Sequence, residues 1–348
     1  MSLAWGPRVR RAVAVGILAI VPCGLLARPA AAATRLPFAR VAVQHNVPYG
    51  SAGGQQLLMN VYTPPTGEQP RPAVLTLHAG GFYTGSKDDP DIVRASYVLA
   101  IAGFEVFDID YRLAPQSPFP AAVHDAQSAV GFVRQNAERY GVDPTRIGIA
   151  GASAGATIAA WVACVGKGAL TADDRVAAAV GWSGPMDFPA LVNELSPSDR
   201  RVSPESPAAG YLQGPDLEQE AVQASPITYV DPTDPPMLLT VGAREQTPIQ
   251  QPELMQAALR KAGVPVVLRV IPGSNHALYG GNFKPAILAA VLFLTRELHG
   301  PLFEQFQIRF PPVLGYHRLP RIALWVVVLL LLLLAVIELV RGWASKAR

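Results

Sequence analysis

Gly151-Ala152-Ser153-Ala154-Gly155 carries the pattern of a serine poised for nucleophilic attack. A Gly-x-Ser-x-Gly turn between a strand and a helix presents its serine in a strained conformation at the tip of a sheet. The glycines are needed because side chains there would collide with the neighbouring strand and helix. The context fits: Arg146 to Ala150 reads as a strand, and a helix is expected after Ser153. The positive end of that helix favours negative charge near the serine. The chemistry such a residue performs is acyl transfer, with the hydroxyl activated by an adjacent base.

That reaction needs donors for a tetrahedral oxyanion. His78-Ala79-Gly80-Gly81-Phe82 follows an apolar strand, and Gly-Gly lets backbone N–H groups turn toward a ligand. Gly80, Gly81 and Ala154 are the expected donors, and losing one donor of this kind costs roughly 100- to 1,000-fold in rate. His78 is expected to brace the loop rather than to move protons. The expected base is His276, in Pro272-Gly273-Ser274-Asn275-His276 after the last strand. His45 and His124 precede the serine, and His299 and His317 lie too far along the chain. The expected acid is Glu245, which follows the strand Met237 to Val241 and would orient the imidazole. Asp231 and Asp234 precede that strand and so fall at its wrong end. No metal or organic cofactor is required by this set.

The elements that must hold these residues alternate between strand and helix. Strands are expected at Val74–Leu77, Phe104–Ile109, Arg146–Ala150, Ala177–Trp182, Met237–Val241 and Val264–Ile271. Helices are expected at Asp91–Ala102, Ala121–Tyr140, after Ser153, at Gln251–Ala262 and at Pro285–Leu298. This alternation implies an α/β fold with a mostly parallel sheet covered on both faces. Between about Asp187 and Thr228 the pattern breaks into Pro-, Ser- and acid-rich sequence, read as a small cap near the carboxyl ends of the strands. Phe82, Tyr83 and Tyr211 could line a pocket, although scattered aromatics more often serve packing. Cys164 sits in an apolar helical stretch as a packed small residue.

From about Val47 to His299 the chain resembles α/β-hydrolase esterases of the hormone-sensitive-lipase and carboxylesterase group, with the bacterial feruloyl/acetyl-xylan esterase-like branch nearest. The segments that carry the likeness are His78 to Phe82 with Gly85-Ser86-Lys87, then Asp110-Tyr111-Arg112-Leu113-Ala114-Pro115. Tyr140-Gly141-Val142-Asp143-Pro144, Gly151 to Gly155 and Pro235-Pro236 complete it. The resemblance implies Ser153 as nucleophile, Glu245 and His276 as its partners, and Gly80, Gly81 and Ala154 as the oxyanion hole. The chain order serine, acid, histidine is that of the fold. Three positions depart from the family pattern: Ala79 replaces a glycine, Val241 stands where histidine is usual, and the acid is glutamate rather than aspartate.

The 348 residues carry a net charge of +3 and are half hydrophobic, with both ends supplying much of the apolar content. No Lys/Arg run interleaved with aromatics occurs, which disfavours nucleic acid as a partner. Residues 1–33 read as a secretory signal peptide: Arg8, Arg10 and Arg11, an apolar stretch from Ala12 to Leu26, then Ala30 to Ala33. Residues 34–300 form the expected catalytic domain and 301–321 a proline-containing connector. Residues 322–340 are apolar except for Glu338, and at a helical rise they would extend about 28 Å, near the thickness of a bilayer core. Arg341, Lys346 and Arg348 in the tail, residues 341–348, favour a cytoplasmic C-terminus. A single-pass membrane protein with its catalytic domain outside is therefore expected, acting on a small-molecule ester. Two other readings stay open: an inactive hydrolase fold displayed for binding, and a lipase acting on the membrane itself.

Overall fold

The computed structural model describes residues 40–65, 67–194, 210–245, 249–273, 275–276 and 283–298. The expected signal peptide, connector, membrane span and tail lie outside these. Among the described residues no helix is long and apolar enough to cross a membrane.

The alternation read from the sequence builds one sheet. Two strands come first, β1 (Ala42–Ala52) and β2 (Gln55–Thr63). They are followed by β3 (Arg71–Leu77), α1 (Pro90–Ile101) and β4 (Glu105–Ile109). Next come α2 (Ala121–Gln135), α3 (Ala137–Tyr140), β5 (Val142–Ala152), α4 (Ala154–Val165) and β6 (Ala178–Trp182). The last group is α5 (Phe188–Glu194), α6 (Leu217–Ala224), β7 (Met237–Gly242), α7 (Gln250–Lys261), β8 (Val266–Ile271) and α8 (Phe283–Leu298). Among the described residues the order across the sheet is β1-β2-β4-β3-β5-β6-β7-β8. β1 pairs with β2 and β2 with β4 in antiparallel fashion, and every later neighbour is parallel.

The β1–β2 hairpin is an addition to the sequence reading. Its turn is Gly53-Gly54, with φ of +56° and +76°. Two consecutive left-handed residues match the twist of a tight hairpin, and Gly-Gly is a signal for it. The single helix expected over Ala121–Tyr140 is divided at Asn136, whose φ of −105° and ψ of 20° leave the helical basin. Gly141, at φ 62°, then ends α3 in the left-handed conformation that glycine adopts without penalty.

β3 and β4 are buried along their whole length, as expected of strands with helices on both faces. On one face Leu75, Leu77, Ile147 and Ile149 pack with α2 and α4 residues such as Val130 and Ile158. On the other, Val74, Val106 and Val180 pack with Leu99 of α1 and Leu294 of α8. The parallel strands point their carboxyl ends one way, so the loops after β3, β5, β7 and β8 share one edge of the sheet. The Asp187–Thr228 region joins β6 to β7 and contains α5 and α6, with residues 195–209 outside the described set.

Candidate active site

The turn after β5 shows why its sequence is Gly-x-Ser-x-Gly. A Cβ on Gly151 would fall within 3.0 Å of the Gly155 carbonyl, and one on Gly155 would meet the backbone of Leu77 and His78 as closely. Ser153 has φ 53° and ψ −117°, a conformation costing about 1–3 kcal/mol for a residue with a side chain. Surrounding bonds hold it there. Its N–H donates to the Trp182 carbonyl at 2.7 Å, while its carbonyl accepts from Ala156 at 2.9 Å and Thr157 at 3.2 Å. The hydroxyl therefore stands at the amino end of α4, the buried Ala-rich helix that begins with Ala154.

The three residues expected to act together meet side by side. His276 Nε2 lies 2.8 Å from Ser153 Oγ, and its Nδ1 bonds the Glu245 carboxylate. Glu245 is 2% exposed at its side chain and His276 22%, so the acid is buried while the imidazole stays partly exposed. Glu245 Oε2 also accepts the Gly242 N–H at 3.4 Å. The longer glutamate arm thus reaches the imidazole from the end of β7. Asp231 and Asp234 lie elsewhere: both pair with Lys167, with Asp234 at 3.0 Å.

The loop expected to supply oxyanion donors follows β3. Gly80 has φ 131°, Gly81 has φ 60°, and Phe82 follows at φ 72°. A Cβ on Gly80 would overlap the Thr84 carbonyl, which explains the glycine there. Ala79 stands in place of the usual glycine with its carbonyl 2.7 Å from His78 Nδ1. His78 is buried, which pushes its pKa down and favours the neutral imidazole. Its ring stacks on Tyr111 with centroids 4.1 Å apart and planes 7° apart. His78 packs at the base of the loop, against Tyr111.

Other residues at the site were not singled out for a role from the sequence. Gln251, fully buried at the start of α7, accepts N–H bonds from Met186 at 2.8 Å and Asp187 at 2.9 Å. It ties the segment leaving β6 to the helix that follows Glu245. Tyr111 and Arg112 lie in a segment the family resemblance marked, yet nothing in their spacing specified a contact. Phe82 and Tyr211 stack at 3.8 Å, and Phe188 lies 6.0 Å from each, so these aromatics form a closed, buried cluster.

The sheet order and the strand–turn–helix at Ser153 define an α/β-hydrolase fold. A family model described as BD-FAE matches residues 59–259, more than half of the chain, and the chain belongs to that family. It is 30% identical over 250 residues to Esterase LipQ of Mycobacterium tuberculosis, covering 69% of this chain and 59% of that protein. It is 30% identical over 242 residues to an ethyl acetate hydrolase of Pseudomonas putida, covering 64% of this chain and 71% of the relative. The chain thus spans about three fifths of the first of these relatives. Among solved structures, a truncated carbohydrate esterase from gut microbiota superposes with a TM-score of 0.64 at 22% identity, covering 75% and 98% of the two chains. The propionate-bound esterase Est2 of Thermogutta terrifontis gives 0.59 at 24% identity, covering 74% and 94%. These two likenesses concern the fold.

Proposed function

We propose that this protein is a serine carboxylic-ester hydrolase that works through an acyl-enzyme. The observation that carries the reading is the continuous relay from Ser153 Oγ through His276 to the buried Glu245. Membership of an esterase family and 30% identity to two curated esterases support it.

In this mechanism Ser153 Oγ attacks the ester carbonyl as its proton passes to His276 Nε2. Glu245 stabilises the resulting imidazolium and fixes its orientation. The N–H groups of Gly80, Gly81 and Ala154 receive the oxyanion. Collapse of the tetrahedral species breaks the bond to the alcohol, which leaves with the proton from His276. Water then attacks the acyl-enzyme, giving its proton to the same nitrogen, and a second collapse releases the acid and restores Ser153.

The test is labelling by a fluorophosphonate, together with hydrolysis of p-nitrophenyl esters of increasing chain length. Wild type should be labelled and should cleave esters, and Ser153→Ala should do neither. A folded, monodisperse wild type that stays unlabelled would sink the reading and favour a binding protein. A preference for long, insoluble esters would point to membrane lipid as substrate; the ethyl acetate hydrolase among its relatives favours short ones.

The same proposal places the catalytic domain outside a membrane, held by residues 322–340. Its support is sequence hydropathy, the basic tail and the leader-like residues 1–33. On intact cells a C-terminal tag should resist added protease while the catalytic domain is digested. The reverse pattern would overturn this topology.

A further inference from the structure

The loop that presents Gly80 and Gly81 is pinned at both ends by one short segment, residues 110–114. At the upstream end the Tyr111 hydroxyl donates to the His78 carbonyl at 3.0 Å, and the Tyr111 ring covers the His78 imidazole. At the downstream end the Ala114 N–H donates to the Phe82 carbonyl at 2.9 Å. Only Ala79, Gly80 and Gly81 lie between these two points. Glycine does not set its own backbone direction, so fixing the residues on either side is what aims the N–H groups.

The segment itself is clamped to α2. Asp125, 1% exposed, accepts the Arg112 backbone N–H at 2.9 Å through Oδ2. The same carboxylate takes Arg112 Nε at 2.9 Å and a terminal guanidinium nitrogen at 2.8 Å, a forked pair. Asp110, at the segment's start, bonds the Lys87 N–H at 2.8 Å beyond the loop, and its own N–H donates to Leu58 of β2 at 2.9 Å. Arg112 combines a backbone anchor with a planar fork, a geometry that a lysine cannot reproduce.

We propose that Tyr111 and the Arg112–Asp125 pair are positioning residues that set the oxyanion donors through His78 and Phe82. The inference rests on the reading of Gly80 and Gly81 as those donors. An oxyanion hole works only when its donors sit at hydrogen-bond distance from the atom that becomes charged. An error of about 1 Å at a reacting centre can cost on the order of 100-fold in rate. Removing one pin leaves the substrate-binding surfaces in place, so the loss belongs in kcat and not in KM.

The experiment compares wild type with Tyr111→Phe and Arg112→Lys, and with Tyr140→Phe as a control. Tyr140 lies in α3, and its buried hydroxyl has no hydrogen-bond partner among the described residues. Tyr111→Phe keeps the ring stack and removes the bond to the His78 carbonyl. Each folded variant is assayed with p-nitrophenyl acetate, and by inhibition with a trifluoromethyl ketone, which forms a charged tetrahedral adduct on serine. Tyr111→Phe is expected to lower kcat and ketone affinity together by roughly tenfold, with KM within about twofold, and Arg112→Lys to follow the same split. Tyr140→Phe should leave kcat and ketone affinity unchanged. Wild-type values of both in folded Tyr111→Phe would overturn the inference, as would a rise in KM alone. If Tyr111→Phe does not fold, Arg112→Lys decides by the same criteria. A wild type that neither hydrolyses ester nor binds the ketone would instead defeat the esterase reading itself.

Discussion

The two halves of the candidate site are held in different ways. Ser153 and the Gly80–Gly81 loop leave β5 and β3, neighbouring strands in the middle of the sheet, and β3 is buried at every residue. His276 follows β8, the edge strand, of which Arg269 and Val270 are exposed and the rest half-buried. At the centre, position is set by backbone sterics: close approach at Gly151 and Gly155 and a left-handed Ser153. Toward the edge it is set by side-chain bonds, through the contact between His276 and Glu245. Ser153 is thus built into the chain path, while His276 and Glu245 depend on side-chain contacts that substitutions can adjust. Removing parts of each half should give losses of different size.

Ser153→Ala should produce the largest effect, a fall of roughly 10,000- to 1,000,000-fold in kcat, read by p-nitrophenyl acetate turnover. Glu245→Gln should cost less, about 10,000-fold, because Ser153 and the Gly80–Gly81 loop remain. Glu245→Asp should fall between Glu245→Gln and wild type, as the shorter arm stretches the bond to His276. If Glu245→Gln kept wild-type kcat, the acid would lie elsewhere and the edge half of the site would need reassigning.

Stability should follow the same division. Leu77→Ala, at the buried end of β3, should cost about 2–5 kcal/mol by removing apolar contact and leaving a cavity. Val270→Ala, on a residue of β8 that is 43% exposed, should stay within about 0.5 kcal/mol. Urea denaturation of the two variants measures both. Equal costs would mean that the edge strand is as tightly built as the centre.

This contrast also explains what could be read from the sequence. Ser153 and its glycines are a contiguous motif whose cause is steric and local, so five letters carry it. The parallel strands were legible because strands buried on both faces read as apolar runs, as in Val74–Leu77 and Met237–Val241. β1 was less legible: most of its residues are exposed or half-buried, and bulges break its register between Gln44 and Val47 and between Pro48 and Gly50. Glu245 could be placed by its strand, but a contact between residues 31 apart is a property of the fold. Tyr111, Arg112 and Asp125 escaped assignment because their partners become neighbours only after β3, β4 and α2 have packed.

A smaller effect tests whether burial at the centre carries a cost of its own. Asp108 on β4 is a fully buried carboxyl that meets the hydroxyls of Thr76 and Ser96. Glu245, by contrast, faces an imidazole that can share its charge. Burial pushes the Asp108 pKa up to about 7, with the hydroxyl hydrogen bonds opposing part of that shift. The folded protein therefore holds this proton more tightly than the unfolded chain, whose ordinary value is 3.8. The stabilising contribution is complete below about pH 4 and is lost as pH rises through about 7. One such group gives a slope of at most roughly 1.4 kcal/mol per pH unit. Glu105, also on β4 and raised to about 7 by burial, adds in the same direction despite Arg71 at 3.4 Å and the Thr63 hydroxyl. Urea midpoints of wild type should fall between about pH 4 and 7, and Asp108→Asn should fall less steeply because its amide cannot titrate. Parallel profiles would show that Asp108 ionises as readily in the folded core as outside it, and that centre and edge tolerate charge alike.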